Sequence, residues 1–196
     1  MDKTPKKILD MTCGPRSIWF NKTHPLAVYC DIREGDFQKD FGKAHGGVKN
    51  LHVHPDVIAD FRDLPFPDDS FNLVVFDPPH ASRFTESSWL INSYGKLEDD
   101  WHDTIRAGVD EAMRVLVPYG TLVFKWAEVQ FTTREVINAI GREPLFGHRS
   151  GKKSGTHWMV FMKIPTTEAK GASYWEAKVR DEYNDFLESV KEWEEK

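Results

Sequence analysis

A chain of 196 residues, 40% hydrophobic and 13% aromatic, suits one folded domain with a sizeable core and is too short for two ordinary ones. It has no apolar run long enough to cross a bilayer, and residues 1–7 lack the apolar stretch of a secretion signal, so the expected setting is the cytosol, with no membrane partner. The net charge of -5 excludes a uniformly basic protein but not a local basic face: residues 173–196 hold eight acids against four bases, which leaves only -1 on the rest.

In chain order, residues 7–12 form a first strand-like run that contains Asp10 and leads into Thr12-Cys13-Gly14-Pro15. Residues 26–31 form a second, ending at Asp31, and residues 57–61 a third, ending in Asp60-Phe61. Residues 73–77 form a fourth, ending at Asp77 and passing into Pro78-Pro79-His80. Each is a short apolar run closed by an acidic or polar residue, the pattern of buried parallel strands. Cys13 and Cys30 fall in or beside these runs and read as buried thiols. The chain shows no zinc-like Cys/His spacing, so no metal site is expected.

After a long connection at residues 81–100, Trp101, Ile105, Val109, Ala112 and Leu116 make one face of a helix that Pro118 and Gly120 stop. Residues 120–126 are the fifth strand. A further helix opens at Thr132, whose spacing to Glu135 matches a capping box. The last two strands, residues 144–148 and 157–162, are too close for a helical crossover and should pair as an antiparallel hairpin. The expected fold is therefore α/β, a doubly wound, mostly parallel sheet of seven strands ending in that hairpin. It fills residues 1–164. Residues 165–172 read as a linker, and residues 173–196 as an amphipathic helix with a stripe of Trp175, Val179, Tyr183, Phe186, Val190 and Trp193. That stripe is expected to dock on the domain, with a protein partner or dimer contact as the alternative.

In an open α/β sheet, ligands bind beyond the carboxyl ends of the strands. Asp10, Asp31, Asp60 and Asp77 therefore gather on one rim. Gly14 lets the backbone approach a ligand, and Asp31, 17 residues later, matches a carboxylate that accepts hydrogen bonds from ribose hydroxyls. Asp60 and the Phe61 backbone are placed to read an adenine ring. The expected ligand is an adenosine without phosphate. The cationic sulfonium of S-adenosylmethionine (SAM) suits an acidic rim of this kind. Any α/β protein ends strands with Asp, so the weight lies in the combination.

Asp77-Pro78-Pro79-His80 projects from the fourth strand beside that rim. An exocyclic amine on a base is a poor nucleophile, because its lone pair is delocalised into the ring. The Asp77 carboxylate and the Pro78 carbonyl are acceptors that would orient its N–H groups. The two prolines fix the turn and add no donor, and His80 is expected to stack on the base. A Pro-Pro turn with a surface histidine is the plainer alternative.

On these residues the chain resembles the amino-methyltransferase branch of the class I SAM-dependent methyltransferases, with its Asp/Asn/Ser-Pro-Pro-aromatic motif. It is most similar to small methyltransferases of the kind carried by bacteriophages. The resemblance covers about residues 6–164 and rests on Ile8-Leu9-Asp10-Met11-Thr12-Cys13-Gly14 and Asp77-Pro78-Pro79-His80. It implies a Rossmann-like fold with SAM as donor. Asp10, Thr12, Cys13, Gly14, Asp31, Asp60, Phe61 and Asp77 would surround the cofactor, and Asp77 to His80 the target amine. The sequence departs from the motif in two places: His80 stands in the aromatic position, and Gly14 is all that remains of a glycine-rich turn.

For the substrate, Arg83 and Lys96 in the 81–100 connection would meet phosphate, and Trp89 and Tyr94 would stack on a base. Residues 148–157 hold Arg149, Lys152 and Lys153 with two histidines and no acids, which suits phosphate contact. An ordinary surface loop and a solvated turn compete with these two readings. Little chain remains for a target-recognition domain, so single-stranded DNA, structured RNA, or DNA read with a partner's help would fit. The expected function is methylation of a nucleobase amine in DNA or RNA, adenine N6 first. The alternatives are the same chemistry on a protein glutamine or a small molecule, or a non-catalytic module of the same fold in an assembly.

Overall fold

The computed structural model describes residues 7–41, 47–82, 91, 95–149 and 155–165, with residues 40, 148 and 149 described by backbone alone. Contacts divide the chain into two units, Met1–Lys163 and Ile164–Lys196, and everything below concerns the first. The tail stripe lies outside the described residues. Among the described residues, no helix is long and apolar enough to cross a membrane.

The strands are β1 (Ile8–Asp10), β2 (Ala27–Asp31), β3 (Gly35–Asp40), β4 (Val48–Val53), β5 (Val57–Ile58), β6 (Phe71–Phe76), β7 (Leu116–Ala127), β8 (Phe146–Arg149) and β9 (Thr156–Met162). The helices are α1 (Trp101–Val115) and α2 (Thr133–Ile140). Seven strands make one sheet in the order β5-β2-β1-β6-β7-β9-β8. The pairs from β5 to β7 are parallel, whereas β9 runs antiparallel to both β7 and β8. The sheet is thus the mostly parallel one expected, ending in the expected antiparallel strands.

Its connections differ from a regular alternation of strands and helices. Residues 11–26, between β1 and β2, are turns. Pro15 interrupts any helix there, and both Gly14 (φ 47°) and Arg16 (φ 55°) take left-handed backbone conformations. Between β2 and β5 stands an antiparallel hairpin, β3–β4, which is a separate two-stranded sheet. The third strand stops at Ile58, so Asp60 and Phe61 sit just beyond it; Asp60 bridges back to Asp63. Leu116 opens β7 instead of closing the helix, because its backbone is already extended (φ -72°, ψ 139°).

The other expected positions of α1, Trp101, Ile105, Val109 and Ala112, are buried together with Leu9, Val74, Phe76, Leu122 and Phe124 of the central strands. Gly108 allows α1 to approach closely: a Cβ there would lie 2.7 Å from the Phe76 ring and 2.8 Å from the Phe61 ring. That packing sets Phe61 against the core just beyond the sheet rim. The capping box of α2 is present, with the Thr132 side chain accepting from the Glu135 N–H and Glu135 accepting from the Thr132 N–H.

Candidate active site at the carboxyl rim of the sheet

A cavity of about 260 Å³ opens where β1, β2, β5 and β6 end. Thr12, Cys13 and Gly14 line it from the turn after β1, and Asp31 and Arg33 from the end of β2. Asp60, Phe61 and Arg62 line it beyond β5, and Asp77 and Pro79 beyond β6. The 81–100 connection closes one side with Ile91, Gly95, Lys96, Leu97 and Glu98. Gly95, with φ 76°, passes so close to the proline turn that a Cβ would stand 3.0 Å from the Pro79 ring. Of the expected cofactor residues, Thr12, Cys13, Gly14, Asp31, Asp60, Phe61 and Asp77 share this one cavity.

Asp10 does not line it. The side chain is 1% exposed and takes hydrogen bonds from Trp19 Nε1 (2.7 Å) and from the Thr12 N–H (3.2 Å). Burial, reinforced by the like charges of Asp77 and Asp31, pushes its carboxyl up to about 7 against those two bonds. Asp10, expected beside the cofactor, thus lies outside the cavity lining and holds the turn through Thr12 and Trp19. Cys13 and Cys30 are free and buried, and burial raises both thiols.

Asp31 is buried and fully engaged. Its Oδ2 accepts from the Gly14 N–H at 2.8 Å, which ties the first turn to the end of β2. The Arg33 guanidinium folds back on it, with Nε 2.9 Å from Oδ1 and Nη2 3.0 Å from Oδ2. Asp60 is closed in the same way by Arg62, with Nη2 2.7 Å from Oδ2. That hydrogen-bonded guanidinium holds the Asp60 carboxyl below its ordinary value. Sequence reasoning missed both arginines, although the repeated Asp-x-Arg at 31–33 and 60–62 was the available signal. Ile32 remains 59% exposed and lines the same cavity, so an apolar surface lies open beside Asp31.

Asp77 begins where β6 ends, and its N–H donates to Thr12 Oγ1 at 2.9 Å. The register pairs Phe76 with Phe124, so the next residues along, Asp77 and Lys125, come side by side. Lys125 Nζ lies 2.5 Å from Asp77 Oδ2, and His80 Nε2 lies 3.0 Å from Oδ1. Burial drives the Asp77 carboxyl upward, but His80 and Lys125 outweigh it, and the group lies below its ordinary value. It is therefore a mostly buried carboxylate that stays ionised.

His80 departs from its expected role. Its ring turns onto Asp77 and packs edge-on against Trp126 at 5.0 Å, and it does not line the cavity. Pro78 is buried outside the lining, while Pro79 forms part of the wall. Lys125 was missed by sequence reasoning; the signal was a lysine inside the apolar run of β7. Of the expected substrate residues, Arg83, Trp89, Tyr94, Lys152 and Lys153 lie outside the described residues, and Arg149 is described as the last backbone position of β8.

The strand order, with β9 reversed between β7 and β8, is that of the class I SAM-dependent methyltransferase fold. Among solved structures, a SAM-dependent methyltransferase from Methanosarcina mazei superposes with a TM-score of 0.51 at 13% identity, over 83% of this chain and 94% of that one. The N-methyltransferase NodS from Bradyrhizobium japonicum gives 0.47 at 15% identity, over 82% and 86%. An rRNA methylase from Streptococcus thermophilus gives 0.48 at 11%, over 82% and 89%. The first of these is a likeness of fold. No protein-family model and no curated protein matches the chain.

Proposed function

We propose that this chain transfers a methyl group from SAM to an exocyclic amino nitrogen of a nucleobase in DNA or RNA, with adenine N6 as the first candidate. One observation carries the proposal: Asp77 shares a single cavity with Gly14, Asp31 and Asp60, at the carboxyl rim of a class I methyltransferase sheet.

The residues fit the donor. Ile32 and Phe61 offer apolar walls for an adenine ring, and Asp31 and Asp60 offer carboxylates for the hydroxyls and the ring edge. Gly14, without a side chain, leaves room for the methionine end beside the first turn. The lining carries the acids Asp31, Asp60, Asp77 and Glu98 beside the bases Arg33, Arg62 and Lys96, and Lys125 pairs with Asp77. Because Arg33 occupies Asp31, ribose recognition requires the guanidinium to yield at least one carboxylate oxygen. Bound there, SAM supplies an electrophilic methyl on its sulfonium.

Asp77 would accept an N–H of the incoming amine and aim the nitrogen lone pair along the transfer line. Its negative charge would also stabilise the positive charge that grows on nitrogen as the N–C bond forms and the S–C bond breaks. The surplus proton leaves the nitrogen after transfer, when it has become acidic, so a strong base is not needed. Lys125 and His80 hold the carboxylate ionised and fix its plane. The Pro78 carbonyl is assigned the second N–H. Arg83, Trp89, Tyr94, Arg149, Lys152 and Lys153 are assigned to phosphate and base contacts, which their chemistry supports. Target recognition with the help of a protein partner or a second copy belongs to the same proposal.

Incubation of the full chain with methyl-labelled SAM and separate pools of DNA, RNA and protein tests this. Label is expected on nucleic acid, at N6 of adenine after digestion to nucleosides. Label confined to protein would overturn the substrate class.

A further inference from the structure

Away from the cavity, the β3–β4 hairpin gathers three metal-ligating side chains. The register sets Asp36 directly opposite His52. His54 lies two residues further on, just past the end of β4, and is exposed like His52, while Val53 between them is buried. His52 Nδ1 and His54 Nε2 converge on the same oxygen, Asp36 Oδ1, at 2.7 and 2.9 Å. The two rings stack with centroids 6.5 Å apart. The three donor atoms lie within 4.8 Å of one another, and all three side chains are exposed.

Exposed ion pairs add little to stability, so bracing the hairpin does not account for two imidazoles aimed at one carboxylate oxygen. Two imidazole nitrogens and a carboxylate are instead a donor set for a divalent transition metal. We propose that Asp36, His52 and His54 bind one such ion, of the zinc type. A tetrahedral centre with bonds of about 2.0 Å sets its donors about 3.3 Å apart. The rings therefore need to retreat from Asp36 by about half an ångström, a movement that exposed side chains make freely. Three protein ligands leave one position for water or a ligand oxygen. His52 and His54 also line a groove of about 450 Å³ that includes Gly14 and Pro15, so the ion would stand near the turn that borders the cavity. The sequence shows no zinc-like spacing because the carboxylate is 16 residues from His52 and joins it only through the hairpin register. The site is independent of the methyltransferase reading.

Calorimetric titration of Zn²⁺ into the full chain tests it, with zinc content after dialysis as a second readout. One ion per chain is expected. Loss of a coordinating side chain should matter at least as much as loss of a supporting one, so His52→Ala, His54→Ala and Asp36→Asn should each weaken binding by about tenfold or more. His102→Ala, on the exposed side of α1, should leave it unchanged. Absence of saturable binding, or binding that survives all three substitutions, would overturn the site.

Discussion

Lys125 Nζ on β7 stands 2.5 Å from Asp77 Oδ2, so the carboxylate at the cavity wall is paired by a lysine from the neighbouring strand. The two side chains are similarly sheltered, 18% and 16% exposed, and the pairing keeps a mostly buried acid ionised. If an ionised Asp77 is required for transfer, its neighbours set the acid limit of activity.

Lys125→Met removes one of the two groups that hold the Asp77 carboxyl down, so that carboxyl should rise. Less of it is then ionised at a given pH, and the acidic limb of the rate profile should move to higher pH. Lys125→Arg, which keeps the charge, should restore much of the original profile. Initial rates with labelled SAM across pH check this; an acidic limb that stays in place in Lys125→Met would separate Asp77 from the rate.

Asp31 should account for much of the cofactor affinity. A hydrogen bond to a charged group contributes about 1.5–3 kcal/mol, so Asp31→Ala should weaken binding of S-adenosylhomocysteine by roughly tenfold to a hundredfold. Arg33→Ala frees the same carboxylate and should tighten it. Calorimetry on both variants, with circular dichroism to check the fold, decides the point. Wild-type affinity in Asp31→Ala would remove Asp31 from the cofactor site.

Asp10 makes stability depend on pH. In the fold its carboxyl holds a proton up to about 7, against an ordinary value of 3.8. Its contribution is fully present below the lower value and is lost as pH rises through the upper one, so stability falls across that window. Asp10→Asn cannot ionise and lacks this component. Urea unfolding between about pH 4 and pH 8 should show a steeper decline in the wild type than in the variant. Parallel curves would contradict the buried, protonated state.

Gly108 should tolerate no side chain. A methyl at this position meets the Phe76 and Phe61 rings at under 3 Å, and overpacking of this kind costs about 1–3 kcal/mol. Because Phe61 also lines the cavity, Gly108→Ala should weaken cofactor binding as well as stability. Denaturant midpoints and binding isotherms of the one variant test both effects.

What was legible in the sequence was what short-range pattern encodes. Apolar runs ending in Asp located the rim, and Thr132 with Glu135 marked a helix start. The relations that escaped depend on register between separate segments. Lys125 reaches Asp77 from 48 residues away because Phe76 pairs with Phe124. His52 meets Asp36 because the chain between β2 and β5 folds as a hairpin, and the glycines at 46 and 47 were the unread turn signal. His80 was read as a free ring over the base, but a carboxylate three residues back and Trp126 beneath it offered a better partner and a better surface.

Asp77→Ala with labelled SAM and the accepted nucleic acid addresses the central claim most directly. Cofactor binding should persist, while transfer should fall by roughly a hundredfold or more. A variant that binds SAM and transfers its methyl at the wild-type rate would contradict the assignment of Asp77 to the reacting amine.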